Sequence, residues 1–323
     1  MNKVGILGYS RVAKKTMIHA LESSKLVDLL MIGSRNKTGN GFGTYEEVLN
    51  NKDIDIVYIS LPIGLHEEWA IKAANAGKHV LVEKSATTSY ESAKKMVDAC
   101  NKNNVRLMEA FMYRFHPQHK RILEFIDNGY IGDVKSFHGL YGSPFFKPTD
   151  TRMNKKLGGG ALNDMGCYPI NASRMIFNEE PESVSCNLTI DTEIDDTDVK
   201  SDVMLNYSNG KNAFCSASFS AYYQTTYKLW TTNTSIEVPR AYAVPEDMET
   251  KIYRSIDDNT NERINFAAIN QTTNMVDHFY KVINGIKPDE NFEKELLAQA
   301  RVMEAARLSN TERRTVMLEE IKW

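Results

Sequence analysis

The sequence VGILGYSRVAKKTMIHAL, residues 4–21, decides the fold of the N-terminal part of this chain. A short apolar run ends at Gly8, and residues 12–21 then repeat apolar positions at helical spacing. Between them, GYSRVA at 8–13 fits the pattern G-x-G-x-x-G/A, with Ser at the second glycine. In that pattern the first residue permits a tight turn, the second lets the backbone approach a pyrophosphate, and the helix start offers N–H groups to the phosphates. The stretch predicts a strand, a dinucleotide-binding turn and a helix; the alternative is a tight turn without a ligand.

Short apolar runs alternate with helical patterns along the first part of the chain. This alternation predicts an α/β Rossmann domain over residues 1–120, with a parallel, doubly wound sheet. Beyond residue 120 strands follow one another with few helices, and several alternate apolar and polar residues. That change predicts an α+β domain over residues 121–323, with a large open, mainly antiparallel sheet. The strands predicted there cover 134–140, 183–190, 199–207, 212–220 and 226–232, with helices near 160–176, 272–284 and 290–308.

The composition excludes several classes of protein. The 323 residues carry a formal net charge of -3, which argues against nucleic acid or an anionic membrane surface as partner. No apolar run is long enough to span a bilayer. The four cysteines are scattered, which is typical of a reducing, cytoplasmic location. The seven histidines lack metal-ligand spacing, so no metal site is predicted.

The end of the second predicted strand bears on the choice of dinucleotide. A carboxylate at this point normally binds the ribose 2′-hydroxyl of NAD. Here residues 33–37 read GSRNK, and Ser34, Arg35 and Lys37 offer a hydroxyl, a guanidinium and an ammonium but no acid. Because a 2′-phosphate requires donors and positive charge, the segment favours NADP(H), with NAD(H) left open. The alternative is that Arg35 and Lys37 are ordinary solvated loop charges.

Four longer strings carry a resemblance to a known family. They are SLPIGLH at 60–66, AGKHVLVEK at 76–84, MEAFMYRFHP at 108–117 and GGGALNDMGCYP at 158–169. Together they closely resemble the glucose–fructose oxidoreductase / inositol dehydrogenase / MocA (Gfo/Idh/MocA) family, in the branch with Tyr where inositol dehydrogenases have His. The resemblance covers nearly the whole chain and implies hydride transfer between a nicotinamide and a sugar or related alcohol or ketone. It also implies a homodimer or homotetramer formed through the sheet of the C-terminal domain.

The resemblance implies two catalytic residues. Lys84 matches the lysine of the family's E-K pair, and Tyr168 matches the proton donor or acceptor of its D-x-G-x-Y segment, in which Asp164 is the acid. The chemistry agrees, because ketone reduction needs a proton for the oxygen, and a neighbouring ammonium favours the phenolate of a tyrosine. Asp164 and Tyr168 lie four residues apart, which on a helix places them on one face. The family's usual proline after E-K is Ser85 here, so the Lys84–Ser85 bond is left open as cis or trans.

Other roles for these residues stay open. Lys84 also suits an exposed strand end, Tyr168 a packed core and Asp164 a helix cap. Arg114 and Arg152 are candidates for binding substrate together with Asp164, or are simply ion-paired or solvated loop charges. The residues predicted to bind the cofactor are Gly8, Tyr9, Ser10, Arg11, Val12, Ser34, Arg35, Lys37, Leu61, Pro62, His66, Glu83 and Lys84. The aromatic residues Tyr141, Phe145, Phe146, Tyr222, Tyr223 and Trp230 suit either a sugar-stacking wall or core and oligomer contacts.

The sequence thus predicts an NADP(H)-dependent oxidoreductase that acts on a sugar or a sugar-nucleotide carbinol or ketone carbon, preferably a nucleotide-linked 3-keto sugar. An aldose or trans-dihydrodiol dehydrogenase is the nearest alternative. A non-catalytic NADP-binding regulatory protein is the alternative from another class. A glycosidase with tightly held NAD is disfavoured by the missing acid after the second strand.

Overall fold

The computed structural model describes residues 1–256 and 260–322, which fold into two compact units. The first unit comprises Met1–Met112 and Asn270–Ala300, and the second comprises Tyr113–Ile269 and Arg301–Trp323. These units differ from the ranges 1–120 and 121–323, since residues 270–300 pack with the N-terminal segment. Ser24, for example, donates a hydrogen bond of 2.6 Å to Asp277.

The strands and helices are numbered along the chain. The strands are β1 (Asn2–Leu7), β2 (Val27–Gly33), β3 (Phe42–Gly43), β4 (Ile56–Ile59), β5 (His79–Val82), β6 (Leu107–Glu109), β7 (Val134–Gly142), β8 (Ser183–Asp191), β9 (Thr197–Asn206), β10 (Asn212–Ser218), β11 (Gln224–Thr231), β12 (Ser235–Val238), β13 (Thr250–Ser255), β14 (Asn261–Phe266) and β15 (Val316–Met317). The helices are α1 (Ile18–Ser23), α2 (Tyr45–Asn50), α3 (His66–Asn75), α4 (Tyr90–Lys102), α5 (Pro117–Asp127), α6 (Cys167–Phe177), α7 (Gln271–Ile283) and α8 (Phe292–Glu312). Five-residue π-helical segments, Ala13–Met17 and Leu162–Gly166, directly precede α1 and α6.

The sheet of the first unit is parallel, with the strand order β3-β2-β1-β4-β5-β6. This is the order of a doubly wound dinucleotide-binding fold, so the predicted Rossmann architecture is confirmed. Its central strands are apolar, and β4 is buried throughout, as expected for a sheet covered on both faces. The chain reverses its direction of winding between β1 and β4. Ligands of open α/β sheets bind at the carboxyl ends of strands at such a reversal.

Local sequence signals account for several boundaries in the first unit. Ser89 accepts the N–H of Ser92 at 3.1 Å and caps α4, as its position before the apolar stripe predicts. Thr44 and Glu47 form a capping box at the start of α2, a helix not predicted from the sequence. Within the AGKHVLVEK string, the buried Lys78 donates to the carbonyls of Asn51 and Ile54, so this lysine fastens the end of α2 to the sheet.

The second unit contains a sheet of order β14-β13-β12-β11-β7-β10-β9-β8-β15. Strands β7 and β10 pair in parallel, and the other pairs are antiparallel, so the predicted open, mainly antiparallel sheet is confirmed. Helix α6 packs on one face, where a Cβ added at Gly139 would lie 2.5 Å from Pro169. Strands β12 to β15 were not predicted.

The opposite face of this sheet carries exposed apolar side chains among polar ones. Trp230, Phe214 and Leu140 have exposed fractions of 68%, 43% and 39%. Phe214 pairs with Met204 on β9 and with His138 on β7. The alternation along β10, with Ala213 and Cys215 buried and Phe214 exposed, is the pattern of a sheet with one covered face.

Three further observations concern the described residues. None of their helices is both long and apolar enough to cross a membrane. Within the same residues, no group of three or more His, Cys, Asp or Glu side chains is placed to hold a metal ion. The cysteines Cys100, Cys167, Cys186 and Cys215 are free thiols.

Candidate active site

The predicted dinucleotide turn lies where β1 and β4 end side by side. Gly8 has a φ of +103°, and a Cβ at this position would lie 2.6 Å from the carbonyl oxygen of Ser60. The Ser10 hydroxyl hydrogen-bonds to the Ser60 hydroxyl and accepts the N–H of Ala13 at 3.0 Å. Ser10, in the second glycine position, therefore joins the two strand ends and caps the helical segment. The small residues of this turn allow a pyrophosphate to come close to the backbone, as dinucleotide binding requires.

The end of β2 presents positive charge. The Ser34 hydroxyl accepts the N–H of Lys37 at 3.1 Å and so shapes the turn, while the side chains of Arg35 and Lys37 are exposed. Beside this turn, Tyr9 packs edge-on against Phe42, with ring centroids 5.2 Å apart. Arg11 is exposed and Val12 half-buried at the start of the first helical segment. The turn thus combines a hydroxyl with two cations.

His66 connects the loops that follow β4 and β5. Its side chain is fully buried, with Nε2 2.8 Å from the Leu61 carbonyl oxygen and Nδ1 3.2 Å from that of Ala86. Burial lowers the pKa of His66 to about 4, although the carbonyl oxygens act in the opposite direction. Leu61 and Pro62 are half-buried on the same loop. The side chain lies between carbonyl groups of two loops, and its neutral form, which has a single N–H, donates to only one of them.

The loop that carries Lys84 is fixed by neighbouring strands. Tyr58 on β4 donates a hydrogen bond to Glu83, and the N–H of Ala86 donates to Glu109 on β6 at 2.8 Å. The Lys84–Ser85 peptide bond is cis, which answers the question left open by the sequence. Lys84 is half-buried just beyond the end of β5. The carboxylate of Glu83, predicted to bind cofactor, contacts Tyr58.

In the second unit, the helical segment with Asp164 and Tyr168 begins at a half-buried carboxylate. Asp198 on β9 accepts the N–H of Leu162 at 2.7 Å. Gly160 has a φ of +119°, and a Cβ there would collide with the Asp198 carboxylate. Burial raises the pKa of Asp198, and the hydrogen bonds from the helix start oppose this rise. Because Gly160 has no side chain, the Asp198 carboxylate fits against the start of the helical segment and caps it.

Asp164 lies in an ion-pair cluster. Its carboxylate accepts a hydrogen bond of 2.9 Å from Nε of Arg152, and Asp150 lies 3.3 Å from the same guanidinium. Arg152 also lies over the ring of Phe146, 4.7 Å from its centroid. The structure thus brings together two of the predicted substrate-binding residues, and two carboxylates compensate the charge of Arg152.

Tyr168 lies in a cluster of tyrosines on the covered face of the second sheet. Its ring centroid is 6.0 Å from that of Tyr113, 5.3 Å from Tyr141 and 5.5 Å from Tyr242. Its exposed fraction is 5%. Tyr113 donates a hydrogen bond of 2.6 Å to Asn171, one turn after Tyr168 on α6. The phenol is therefore held in a defined orientation by packed rings.

Arg114, the other arginine predicted to bind substrate, lies on the 3₁₀ turn Met112–Phe115. It is half-buried, and its charge lowers the pKa of the buried His119 together with the larger effect of burial. The ring of His119 stacks on Tyr227 and lies edge-on to Tyr113.

Comparison with known proteins identifies both units. The model of an oxidoreductase family with an NAD-binding Rossmann fold matches residues 2–111, and the model of the GFO/IDH/MocA C-terminal domain matches residues 119–237. A D-xylose 1-dehydrogenase (NADP(+)) 2 from Haloferax volcanii is 34% identical over 74% of this chain and 76% of its own length. The chain belongs to the GFO/IDH/MocA oxidoreductase family.

Two further relatives of this GFO/IDH/MocA protein are reductases. The dTDP-3,4-didehydro-2,6-dideoxy-alpha-D-glucose 3-reductase from Saccharopolyspora spinosa is 30% identical over 77% of this chain and 78% of its own length. The 3-ketoreductase KijD10 from Actinomadura kijaniata, solved with NADP and TDP-benzene, superposes with a TM-score of 0.90 at 27% identity. That superposition covers 95% of this chain and 97% of KijD10.

Sequence reasoning missed several residues that organise this GFO/IDH/MocA site. Asp198 belongs to no motif and lies 36 residues beyond Leu162, so no local signal points to it. Glu109 lies within the MEAFMYRFHP string, so the family motif could have pointed to it, whereas no motif includes Tyr58 on the buried strand β4. Asp198 and Glu109 accept backbone N–H groups, and Tyr58 donates to the side chain of Glu83.

Proposed function

We propose that the protein transfers a hydride between NADP(H) and a carbinol or ketone carbon of a sugar or sugar nucleotide. The observation that carries this proposal is the glycine turn at Gly8 beside a β2 end that has Arg35 and Lys37 and no acid. These residues fit the group, because the turn admits a pyrophosphate and the cations suit a 2′-phosphate. The match to an NADP-dependent xylose dehydrogenase and to KijD10 with NADP supports it.

In the proposed mechanism Tyr168 is the acid and base, assisted by Lys84. When bound, the nicotinamide would supply or accept the hydride. During reduction the Tyr168 phenol donates its proton to the oxygen of the substrate, and during oxidation its phenolate removes the proton from the hydroxyl. The Lys84 ammonium stabilises the phenolate and the negative charge that develops on the substrate oxygen. Asp164 and Arg152, bonded to each other, orient substrate hydroxyls.

A nucleotide-linked keto sugar is the preferred substrate, since the nucleotide-sugar reductases match over most of the chain. A free aldose is the second candidate, favoured by the 34% identity to the xylose dehydrogenase. A trans-dihydrodiol is a further alternative, because trans-1,2-dihydrobenzene-1,2-diol dehydrogenase from Xenopus laevis is 33% identical over 61% of this chain.

The test is a spectrophotometric assay of NADPH oxidation with a panel of keto sugars, free and nucleotide-linked. Wild-type protein is expected to oxidise NADPH with at least one of them. Tyr168→Phe, which removes only the hydroxyl, and Lys84→Ala are each expected to lower kcat by roughly 10²–10⁴-fold. If the wild type binds NADPH and reduces no carbonyl compound, a non-catalytic regulatory role gains support.

We further propose that the open sheet of the second unit forms a homodimer or homotetramer. The exposed side chains of Trp230, Phe214 and Leu140 lie on neighbouring strands of one face. A second copy of the same face would bury them at a closed, two-fold interface. A cytoplasmic location remains a prediction.

A further inference from the structure

We propose that Arg240, together with Tyr223 and the neighbouring aromatic side chains Tyr222 and Phe145, forms a subsite for the nucleoside diphosphate of the substrate. The guanidinium would bind the diphosphate and the rings would stack on the base. This inference rests on the proposed function, because it specifies the substrate class of the same site.

The charge of Arg240 is the first argument. Its guanidinium lies over the ring of Tyr223, 5.0 Å from the centroid, and no carboxylate of the described residues pairs with it. Arg152, which the sequence suggested as a substrate-binding residue, is by contrast held by Asp150 and Asp164. A planar guanidinium binds two phosphate oxygens at once, and a ring beneath it fixes its plane. Arg240 therefore offers an uncompensated charge in a prepared orientation.

The position of Arg240 is the second argument. Arg240 forms a β-bridge with Thr225, and the next residue, Ala241, donates its N–H to the carbonyl oxygen of Thr225. Tyr242 follows two residues after Arg240, a span of roughly 7 Å of extended chain. The ring of Tyr242 lies 5.5 Å from that of Tyr168. Arg240 thus lies two residues along the chain from a member of the tyrosine cluster that contains the proposed acid and base.

The exposed rings are the third argument. Tyr222, Tyr223 and Phe145 have exposed fractions of 87%, 39% and 48%. Their loops are joined, because the N–H of Ser143 donates to Ser218 and the N–H of Ala221 donates to Ser143, each at 3.0 Å. Bases stack on exposed aromatic side chains. The two loops therefore present aromatic surface beside a free guanidinium, which suits a nucleotide better than an unmodified sugar.

Calorimetric titration of the full-length protein, saturated with NADP⁺, tests the subsite. The probes are thymidine diphosphate, uridine diphosphate, inorganic pyrophosphate and thymidine. We expect Arg240→Ala to weaken the binding of both nucleoside diphosphates and of pyrophosphate by about tenfold or more, and Arg240→Lys to recover only part of the lost affinity. Tyr223→Leu should weaken the binding of the nucleoside diphosphates more than that of pyrophosphate, since it removes the ring on which the base stacks. Arg263→Ala, an exposed arginine on β14, is the charge-matched control and should change each affinity less than twofold.

Three outcomes would overturn the subsite. They are thymidine and uridine diphosphates that fail to bind the NADP⁺-loaded wild type, an Arg240→Ala variant that binds them normally, and an Arg263→Ala variant that loses as much affinity as Arg240→Ala. The thermal unfolding midpoint and the NADP⁺ affinity of each variant show that fold and dinucleotide site are unchanged. Because these titrations involve no turnover, they can succeed where every reductase assay fails. Reduction of a free sugar without diphosphate binding would retain the proposed function and reject the subsite.

Discussion

The carboxylate of Asp198 accepts the N–H of Leu162 at 2.7 Å, and this bond ties β9 to the helical segment with Asp164 and Tyr168. The carboxylate thus lies at the start of this segment, where its charge meets the positive end of the helix. Gly160 lies so close that only a residue without a side chain fits. The placement of the proposed acid and base therefore depends on a residue that is not expected to touch substrate.

Replacing Asp198 tests this dependence. We expect Asp198→Ala to lower the free energy of unfolding by about 1–2 kcal/mol, because the N–H of Leu162 at the helix start loses its carboxylate acceptor. Asp198→Asn keeps one oxygen acceptor and should recover part of that loss. Urea denaturation measures both. Asp202→Asn, a half-buried acid further along β9, is the matched control, and equal losses in Asp198→Ala and the control would contradict the capping role.

The parallel, doubly wound sheet of the first unit could be predicted because most of its strands and helices carry their own local patterns. The GYSRVA turn, the GSRNK segment and the AGKHVLVEK string lie at strand ends, and parallel strands bring such ends to one edge of a sheet. Strand β14 escaped prediction since its side chains are half-buried or exposed throughout, so that it lacks a buried apolar stripe. Helix α7 was recognised, but its membership of the first unit was not.

The parts of the site that could not be predicted depend on contacts between distant segments. The ion pair of Arg152 with Asp164 joins a 3₁₀ turn to the helical segment before α6. Only the folded chain shows that Arg152 is paired in this way, whereas no carboxylate of the described residues pairs with Arg240. The burial of His66 likewise depends on contacts between distant segments. A histidine at the start of a helix suggests an exposed side chain, but the His66 ring packs between two loops and is removed from water.

Burial of His66 predicts loss of stability in acid. Its pKa is lowered to about 4 in the folded protein from 6.5, so the unfolded chain binds a proton more readily. The contribution to stability is therefore complete above pH 6.5 and is lost as the pH falls towards 4, at about 1.4 kcal/mol per pH unit. His66→Asn should reduce the slope of unfolding free energy against pH by about one proton in this range. A His66 ring resonance that titrates near pH 6.5 in NMR spectra would refute the prediction.

The end of β2 predicts a preference between dinucleotides. Arg35→Ala and Lys37→Ala should each weaken the binding of NADP⁺ by about tenfold and change the affinity for NAD⁺ less than twofold, since only NADP⁺ carries a 2′-phosphate. Arg35→Asp should also raise the affinity for NAD⁺ by supplying an acceptor for the ribose hydroxyl. Dissociation constants from fluorescence titration measure the effect. Lys52→Ala, at an exposed position outside the turn, is the charge control, and equal weakening of both dinucleotides would argue against this role.

The exposed sheet face predicts assembly through Trp230 and Phe214. A charge on these side chains would have to be buried in a two-fold interface, so Trp230→Glu and Phe214→Asp should convert the oligomer to monomer. Light scattering after size-exclusion chromatography gives the mass. Tyr130→Glu, at another exposed aromatic residue outside these strands, serves as control. A wild-type monomer, or an oligomer that survives both charged variants, would rule out this face.

The ion pair between Arg152 and Asp164 predicts a measurable coupling energy. Both side chains are largely shielded, with exposed fractions of 22% and 19%, and the contact of 2.9 Å is a charge-assisted hydrogen bond. A double-mutant cycle of Arg152→Met and Asp164→Asn should therefore give a coupling of about 1 kcal/mol in the free energy of unfolding, above the usual value for an exposed pair. Asp150, at 3.3 Å, retains part of the charge compensation in Asp164→Asn, so this single variant should cost less than Arg152→Met, which leaves two carboxylates together. Additive single losses would show that the pair contributes no net interaction and would leave both side chains free to bind substrate independently.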